Sequence, residues 1–162
     1  MQYCEARGAG GGSKMFAHVN ERTIISLDGD KLIRMWGLFE GGGEEVFTAA
    51  QPKRILVGTD SLPIALFALQ GGLLVGAVCA SGSVVVWVAE SGSISFKGSL
   101  AAASSSASSF EAHVVDFNGL SRIVASQANV EGGLHIMLFE ANFDGLRPEL
   151  KCICRYEPSL SR

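Results

Sequence analysis

The chain has 162 residues, of which 48% are apolar and 18% are charged, and its formal net charge is −3. This balance excludes a wholly disordered protein, and the length fits one domain with a sizeable core. Because the charge is small and negative, the chain as a whole has no basic field that would attract a nucleic-acid backbone.

The chain begins with a Gly-rich segment, residues 1–14, which predicts a flexible leader. A phosphate-binding loop would need a buried strand before it and a Gly-Lys-Ser/Thr sequence opening a helix, whereas Ser13-Lys14 follows no strand. Met1 to Glu5 lacks the apolar region of a signal peptide, and the four cysteines follow no zinc-like spacing. We therefore expect free thiols and an intracellular location.

Three similar patterns recur along the chain, each a Gly-containing turn followed by an apolar strand that ends in a large aromatic residue. The aromatic residues are Trp36, Trp87 and Phe139, which are 51 and 52 residues apart. A period of this size indicates a modular β array and predicts the blades of a β-propeller. We expect these three side chains to be structural residues that pack between neighbouring blades.

The predicted strands form three groups, and about 45 residues with four antiparallel strands make one propeller blade. The first group contains Thr23 to Leu27, Lys31 to Trp36 and Glu45 to Ala49. The second contains Ile64 to Leu69, Leu73 to Ala80, Val84 to Val88 and Ile94 to Leu100. The third contains His113 to Phe117, Ser121 to Gln127, Leu134 to Glu140 and Leu150 to Tyr156. Arg54 to Val57 fits either an extra strand between the first two groups or the first strand of the second.

A membrane-spanning helix is the alternative for part of the second group. Ser61 to Ala89 contains no charged residue and is long enough to cross a bilayer. Pro63, the Gly71-Gly72 pair and the Ser81-Gly82-Ser83 turn divide it into pieces of strand length, and these pieces are rich in β-branched and aromatic residues. The sequence therefore favours buried strands.

The predicted fold is all-β, with about three WD40-like β-propeller blades made of antiparallel four-stranded sheets over residues 15–157. The Ala/Ser tract 101–109 predicts a surface loop, and residues 158–162 predict a tail or linker. About three blades form an incomplete ring, because propellers close with roughly four to eight. The chain is then a fragment of a longer protein, a part of a ring completed by another chain, or an open array. We favour the fragment.

No catalytic or metal-binding constellation is evident in the sequence. The histidines His18, His113 and His135 have no metal-ligand spacing, and we expect them in core or turn positions. Cys152-x-Cys154 has no second pair to complete a metal site. The acidic residues Asp28, Asp30, Glu131 and Asp144 are interpreted as solvated turn formers. The sequence predicts no catalytic residue, no cofactor and no metal, and hence no enzymatic activity.

One family resemblance rests on residues 24–78. Lys31-Leu32-Ile33-Arg34-Met35-Trp36, Glu45-Val46-Phe47, Arg54-Ile55-Leu56 and Leu62-Pro63-Ile64-Ala65-Leu66-Phe67 with Gly71-Gly72 resemble the N-terminal propeller of the nucleolar protein eleven family. This resemblance implies a nucleolar scaffold in the small-subunit processome, which supports ribosomal RNA transcription and early pre-rRNA processing. It transfers no binding residue to this chain.

The sequence thus predicts a non-enzymatic protein-interaction scaffold in a multiprotein complex, with pre-ribosomal ribonucleoprotein as the implied context. The expected location is the nucleus or nucleolus, with the cytoplasm as the alternative. A coat or trafficking scaffold remains open, as does a propeller enzyme whose catalytic residues lie outside this chain. Propellers bind partners mainly through loops. The candidate loops are Asp28 to Lys31, Gln70 to Gly72, Ser91 to Ser93 and Asn129 to Gly133.

Overall fold

The computed structural model describes residues 15–37, 52–100, 107–117, 120–129, 134–142 and 149–156. Within them, regular structure consists of strands and one 3₁₀ turn, Gln70–Gly72. The twelve strands form three four-stranded antiparallel sheets, the repeated unit of WD40-like propeller blades. The all-β prediction is confirmed.

The first sheet has the order β1-β2-β3-β4, so each strand pairs with the one that precedes it in the chain. Its strands are Met15–Asn20, Thr23–Leu27, Ile33–Gly37 and Arg54–Leu56. Side chains alternate between the two faces of a strand, and one face of this sheet is buried while the other carries the exposed residues Phe16, His18 and Ile55. The buried face contains Val19, Ile25, Leu27, Ile33, Met35 and Leu56.

The second sheet has the order β5-β6-β7-β8. Its strands are Pro63–Leu69, Leu74–Cys79, Ser83–Val88 and Ile94–Ser99. All six residues of β6 are buried, as are four of the six in β7. Strands buried on both faces need continuous apolar sequence, which explains why this part of the chain lacks charge. Within the part of the chain that the structure describes, no helix is long and apolar enough to cross a membrane.

The third sheet has the order β12-β11-β10-β9, with β12 at its edge. Its strands are Ala107–Phe117, Leu120–Asn129, Leu134–Asn142 and Glu149–Tyr156. The buried face contains Ala112, Ile123, Ala125, Gln127, Met137 and Phe139. The register of β11 with β12 shifts between Leu138 and Phe139, so that Ile153 bulges out of the ladder.

The chain divides into two compact units. Unit 1 contains the described residues up to Gly58, together with Leu66–Gly76 and Val86–Ile94. Unit 2 contains Thr59–Ala65, Ala77–Val85 and the described residues from Ser95 onward.

The first sheet differs from the prediction in two strands. Met15–Asn20 was not predicted, yet it forms β1 and supplies the first strand of the sheet. Arg54–Leu56 pairs with β3 as the fourth strand, so it is neither an extra strand nor part of the second sheet. The predicted strand Glu45 to Ala49 lies outside the described residues, as do the leader 1–14 and the tail 158–162.

The third sheet also begins earlier than predicted. Strand β9 starts at Ala107, so Ala107 and Ser109 of the Ala/Ser tract pair with β10, and Ser108 falls in the irregularity between them. The rest of the register between β9 and β10, from Ser109 to Phe117, is continuous. The rest of the tract, 101–106, lies outside the described residues.

Candidate functional site

The three predicted aromatic residues occupy the third strands of the three sheets. Trp87 and Phe139 are buried, whereas Trp36 is half-buried. The Trp87 indole N–H donates to the Val57 carbonyl at 2.8 Å, and the Trp36 indole donates to Ser26 Oγ at 2.8 Å. Their packing between blades stays a prediction.

A polar latch in unit 1 joins β4 to the turn between β7 and β8. The Arg54 guanidinium donates to the Glu90 carbonyl at 2.6 Å and to the Ser91 carbonyl at 2.7 Å. Two donors on one planar group fix the direction of the side chain as well as its distance. The turn it holds passes through Gly92, whose φ is +72°. A Cβ atom at that position would lie 2.4 Å from Arg54 Cδ.

Beside this latch lies a cleft of about 440 Å³, which is the candidate functional site and belongs entirely to unit 1. Its walls combine the buried face of the first sheet with one end of the second. The apolar lining residues are Val19, Met35, Leu73, Leu74, Val88 and Ala89. The polar lining residues are Asn20, Thr23, Lys53, Arg54 and Glu90, with Gly72 between them.

The cleft has an apolar interior and a polar rim. Val19, Met35 and Leu74 are buried, and Leu73 is the large apolar side chain at the mouth, 67% exposed. Leu73 is held by backbone bonds, because its N–H donates to the Gln70 carbonyl at 3.3 Å and its carbonyl accepts from Ala89 N–H at 2.9 Å. An interior of this kind, ringed by polar groups, suits an apolar side chain with hydrogen-bonding groups around it.

One of the four candidate loops, Gln70–Gly72, contributes Gly72 to the cleft lining, and the Ser91 to Ser93 turn directly follows the lining residue Glu90. Gln70–Gly72 and the Ser91 to Ser93 turn lie at the same end of the second sheet, and the Ala89–Leu73 backbone bond joins their flanks. Asp28 to Lys31 connects β2 to β3, and therefore lies at the opposite end of the first sheet from Asn20. The fourth loop lies outside the described residues beyond Asn129.

The Asp28 turn carries a charged network rather than solvated acids. Asp28 is buried, accepts from Ser26 Oγ at 2.9 Å and pairs with Arg34 Nη1 at 2.6 Å. The interpretation of Asp28 as a solvated turn former is therefore wrong. Arg34 also binds Asp30, and this hydrogen bond lowers the pKa of the Asp30 carboxyl to about 2. With Trp36 bound to Ser26, the network ties β2 and β3 together.

In unit 2, Asp60 organises the turn between β6 and β7. Its carboxylate accepts hydrogen bonds from the hydroxyls of Ser83, Ser81 and Ser61, and these bonds lower the pKa of Asp60, the one from Ser83 most strongly. Ser81 and Ser83 also bond to each other at 3.1 Å between their oxygens. Because the hydroxyls already bond within the cluster, its visible role is to hold the turn.

The remaining chemical groups are dispersed. His18 and His113 are exposed strand residues, so their expected core or turn placement is wrong. Cys79 is buried, which raises the pKa of its thiol, whereas Cys152 and Cys154 are exposed on the edge strand β12. Among the described residues, no three His, Cys, Asp or Glu side chains form a group that could hold a metal ion.

Sequence reasoning missed the cleft and its principal residues, Leu73, Glu90 and Arg54. Leu73 was assigned to a strand, but it follows the 3₁₀ turn in αR geometry with its side chain at the surface. The sequence places Arg54 in a short strand and assigns it no partner. Its partners are backbone carbonyls 36 and 37 residues along the chain, which local sequence does not indicate.

Solved structures with a similar fold include two from fission yeast. In the complex of the SREBP–SCAP binding domains, one chain matches with a TM-score of 0.56 and 13% identity, over 98% of this chain and 40% of that one. The WD40 domain of SCAP matches with a TM-score of 0.51 and 14% identity, over 91% of this chain and 32% of that one. This chain thus spans less than half the length of either structure.

Neither a family model nor a curated protein matches the sequence. The nucleolar protein eleven resemblance therefore finds no support in these comparisons, and identities of 13 and 14% show the fold alone. The chain is a set of WD40-like β-propeller blades.

Proposed function

We propose that this chain is a non-enzymatic protein-interaction scaffold that binds a partner polypeptide at the unit 1 cleft. The proposal rests on one observation: the cleft combines an apolar interior, a polar rim and one large exposed side chain, Leu73, at its mouth. Binding energy at protein interfaces concentrates in apolar anchors that enter well-packed pockets. A cleft of about 440 Å³ has room for such an anchor.

The chemistry of the lining also favours binding over catalysis. The described residues that line the cleft include neither histidine nor cysteine, and Arg54 is engaged with the carbonyls of Glu90 and Ser91. Thr23, Asn20 and Glu90 can exchange hydrogen bonds with a peptide backbone at the rim. A partner segment with one or two apolar side chains and an otherwise polar sequence fits these groups.

Two cellular contexts follow from different observations. The resemblance over residues 24–78 favours a ribosome-biogenesis component in the nucleus or nucleolus, bound to pre-ribosomal proteins. The structural neighbour solved as a complex of binding domains favours a general binding role, which suits a coat or trafficking scaffold in the cytoplasm equally well. The enzyme alternative would need catalytic groups from outside this chain.

Affinity purification with three versions of the chain tests the proposal. Leu73→Glu places a charge at the cleft mouth, and Val57→Glu is the matched control, because Val57 is 65% exposed in the same unit but does not line the cleft. We expect Leu73→Glu to lose partners that the parent chain and Val57→Glu retain. Equal recovery of partners by all three versions would refute the cleft as the binding site.

The identity of the retained partners then decides the context. Pre-ribosomal proteins would support the nucleolar role, and vesicle-coat proteins would replace it with the trafficking role. Retained partners of neither class would exclude both contexts while leaving the scaffold and its cleft in place.

A further inference from the structure

Glu90 places a carboxylate at the rim of the unit 1 cleft. The residue is exposed and lines the cleft. Arg54 donates to the backbone carbonyl of Glu90, so this contact leaves the carboxylate unengaged. Among the residues that the structure describes, no side chain makes a hydrogen bond or an ion pair with that carboxylate. Its charge is therefore open to a bound partner.

The two positive charges of the lining are already engaged. The Arg54 guanidinium donates to the carbonyls of Glu90 and Ser91, at 2.6 and 2.7 Å, which fixes it on the backbone of the turn. Lys53 also has an interaction partner. The other lining residues are uncharged. The charge that the cleft offers to a partner is thus the negative charge of Glu90.

Backbone hydrogen bonds hold this carboxylate beside the apolar mouth of the cleft. Ala89, the residue before Glu90, donates its N–H to the Leu73 carbonyl at 2.9 Å. Glu90 and the 67% exposed Leu73 therefore lie on neighbouring backbone segments that are bonded to each other. Consecutive Cα atoms are about 3.8 Å apart, so a partner with an apolar side chain at Leu73 brings its next few residues to Glu90.

We infer that the cleft binds a polypeptide segment in which lysine or arginine lies within about three residues of an apolar anchor, an inference that rests on the function proposed above. The anchor contacts Leu73, and the basic group pairs with the Glu90 carboxylate. Charge complementarity across an interface selects partners and speeds their encounter. An acidic residue at the same place would be repelled by Glu90, so the site discriminates against it.

A random heptapeptide library displayed on phage supplies the probe, with the full chain as bait. Leu73→Asn removes the apolar side chain at the mouth without adding charge. We call peptides that bind the parent chain but not this variant cleft peptides. We expect cleft peptides to combine an apolar residue with lysine or arginine. Selection on Glu90→Lys should retain the apolar residue and replace the basic one by aspartate or glutamate.

One cleft peptide, synthesised with its basic residue and with glutamine in its place, gives the affinities. At low salt, Glu90→Gln should weaken binding of the basic peptide by about two- to fivefold, as expected for an exposed ion pair, and leave the glutamine peptide unchanged. Added salt should weaken the basic peptide more on the parent chain than on Glu90→Gln. Glu21→Gln is the matched control and should bind like the parent chain, because Glu21 is exposed in the same unit but does not line the cleft.

The outcomes separate this inference from the proposed function. Cleft peptides without a preference for basic residues, or equal effects of Glu90→Gln and Glu21→Gln, would overturn the inference and leave the apolar cleft as a binding site. A selection in which no peptide depends on Leu73 would overturn both.

Discussion

Substitution of Gly92 by alanine tests the latch that closes one side of the cleft. Gly92 has a φ of +72°, and an added Cβ would lie 2.4 Å from Arg54 Cδ. Alanine therefore meets two separate penalties, one from its own backbone and one from the displaced arginine. The second penalty follows from the loss of the bonds to Glu90 and Ser91, which are 2.6 and 2.7 Å long.

The two penalties are similar in size but have different physical causes. Left-handed backbone geometry costs an L-residue roughly 1–2 kcal/mol. The two hydrogen bonds from a charged guanidinium, at a site open to solvent, contribute about 1–2 kcal/mol together. Gly92→Ala should thus lower the free energy of unfolding by about 2–4 kcal/mol, and Arg54→Ala by about 1–2 kcal/mol.

A double-mutant cycle isolates the contact, with urea unfolding followed by tryptophan fluorescence as the assay. Once Arg54 is alanine, Gly92→Ala should cost only the backbone term, so the double variant falls short of the sum by about 1–2 kcal/mol. Gly71→Ala is the matched control, because Gly71 has a φ of +62° but no atom within 4 Å of its added Cβ. Gly71→Ala should lower the free energy of unfolding only by the cost of left-handed backbone geometry. Its effect should add to that of Arg54→Ala in the double variant, because the two sites do not touch. Additive costs for Gly92 and Arg54 would refute the latch.

Three further predictions concern single residues. Trp87→Phe should lower stability by about 1–2 kcal/mol in thermal unfolding, because it leaves the Val57 carbonyl without its indole donor; an unchanged midpoint would argue against this bond. The pKa of Asp30 is lowered from 3.8 to about 2, so its ionised form stabilises the fold above pH 3.8 and this contribution disappears as the pH falls through about 2. Asp30→Asn should accordingly lose stability less steeply than the parent chain over that interval, and parallel acid-unfolding curves would contradict the pairing. Burial raises the pKa of the Cys79 thiol, so iodoacetamide should modify it far more slowly than the exposed thiols of β12, as read by peptide mapping; equal rates would place Cys79 at the surface.

Strands with regular apolar pattern and clear turns could be predicted from the sequence. Thr23–Leu27 begins and ends where predicted, and the second sheet differs from prediction by one residue at several strand ends. Met15–Asn20 was missed because it follows the Gly tract directly and interrupts its apolar residues with His18. Arg54–Leu56 has three residues, too few for its pattern to assign it to a sheet.

The site depends on contacts that local sequence does not encode. The Asp28–Arg34 pair could have been found from the hairpin register, because Ser26 lies opposite Arg34 and brings both acids of the turn within reach. The cleft could not be predicted from the sequence, because Val19 and Leu74 come from different sheets and their separation is set by how those sheets pack. The same holds for Arg54, whose carbonyl partners belong to a distant turn.

Hydrogen exchange of the full chain with and without a captured partner tests the central claim most directly. Binding in the cleft should slow exchange of backbone amides around Leu73 and Glu90, next to the ends of β6 and β7 that line it, and around Asn20 at the end of β1. The Asp28 and Asp60 turns, which lie outside the cleft lining, should exchange as before. Protection confined to those turns, with the cleft amides unchanged, would contradict the account.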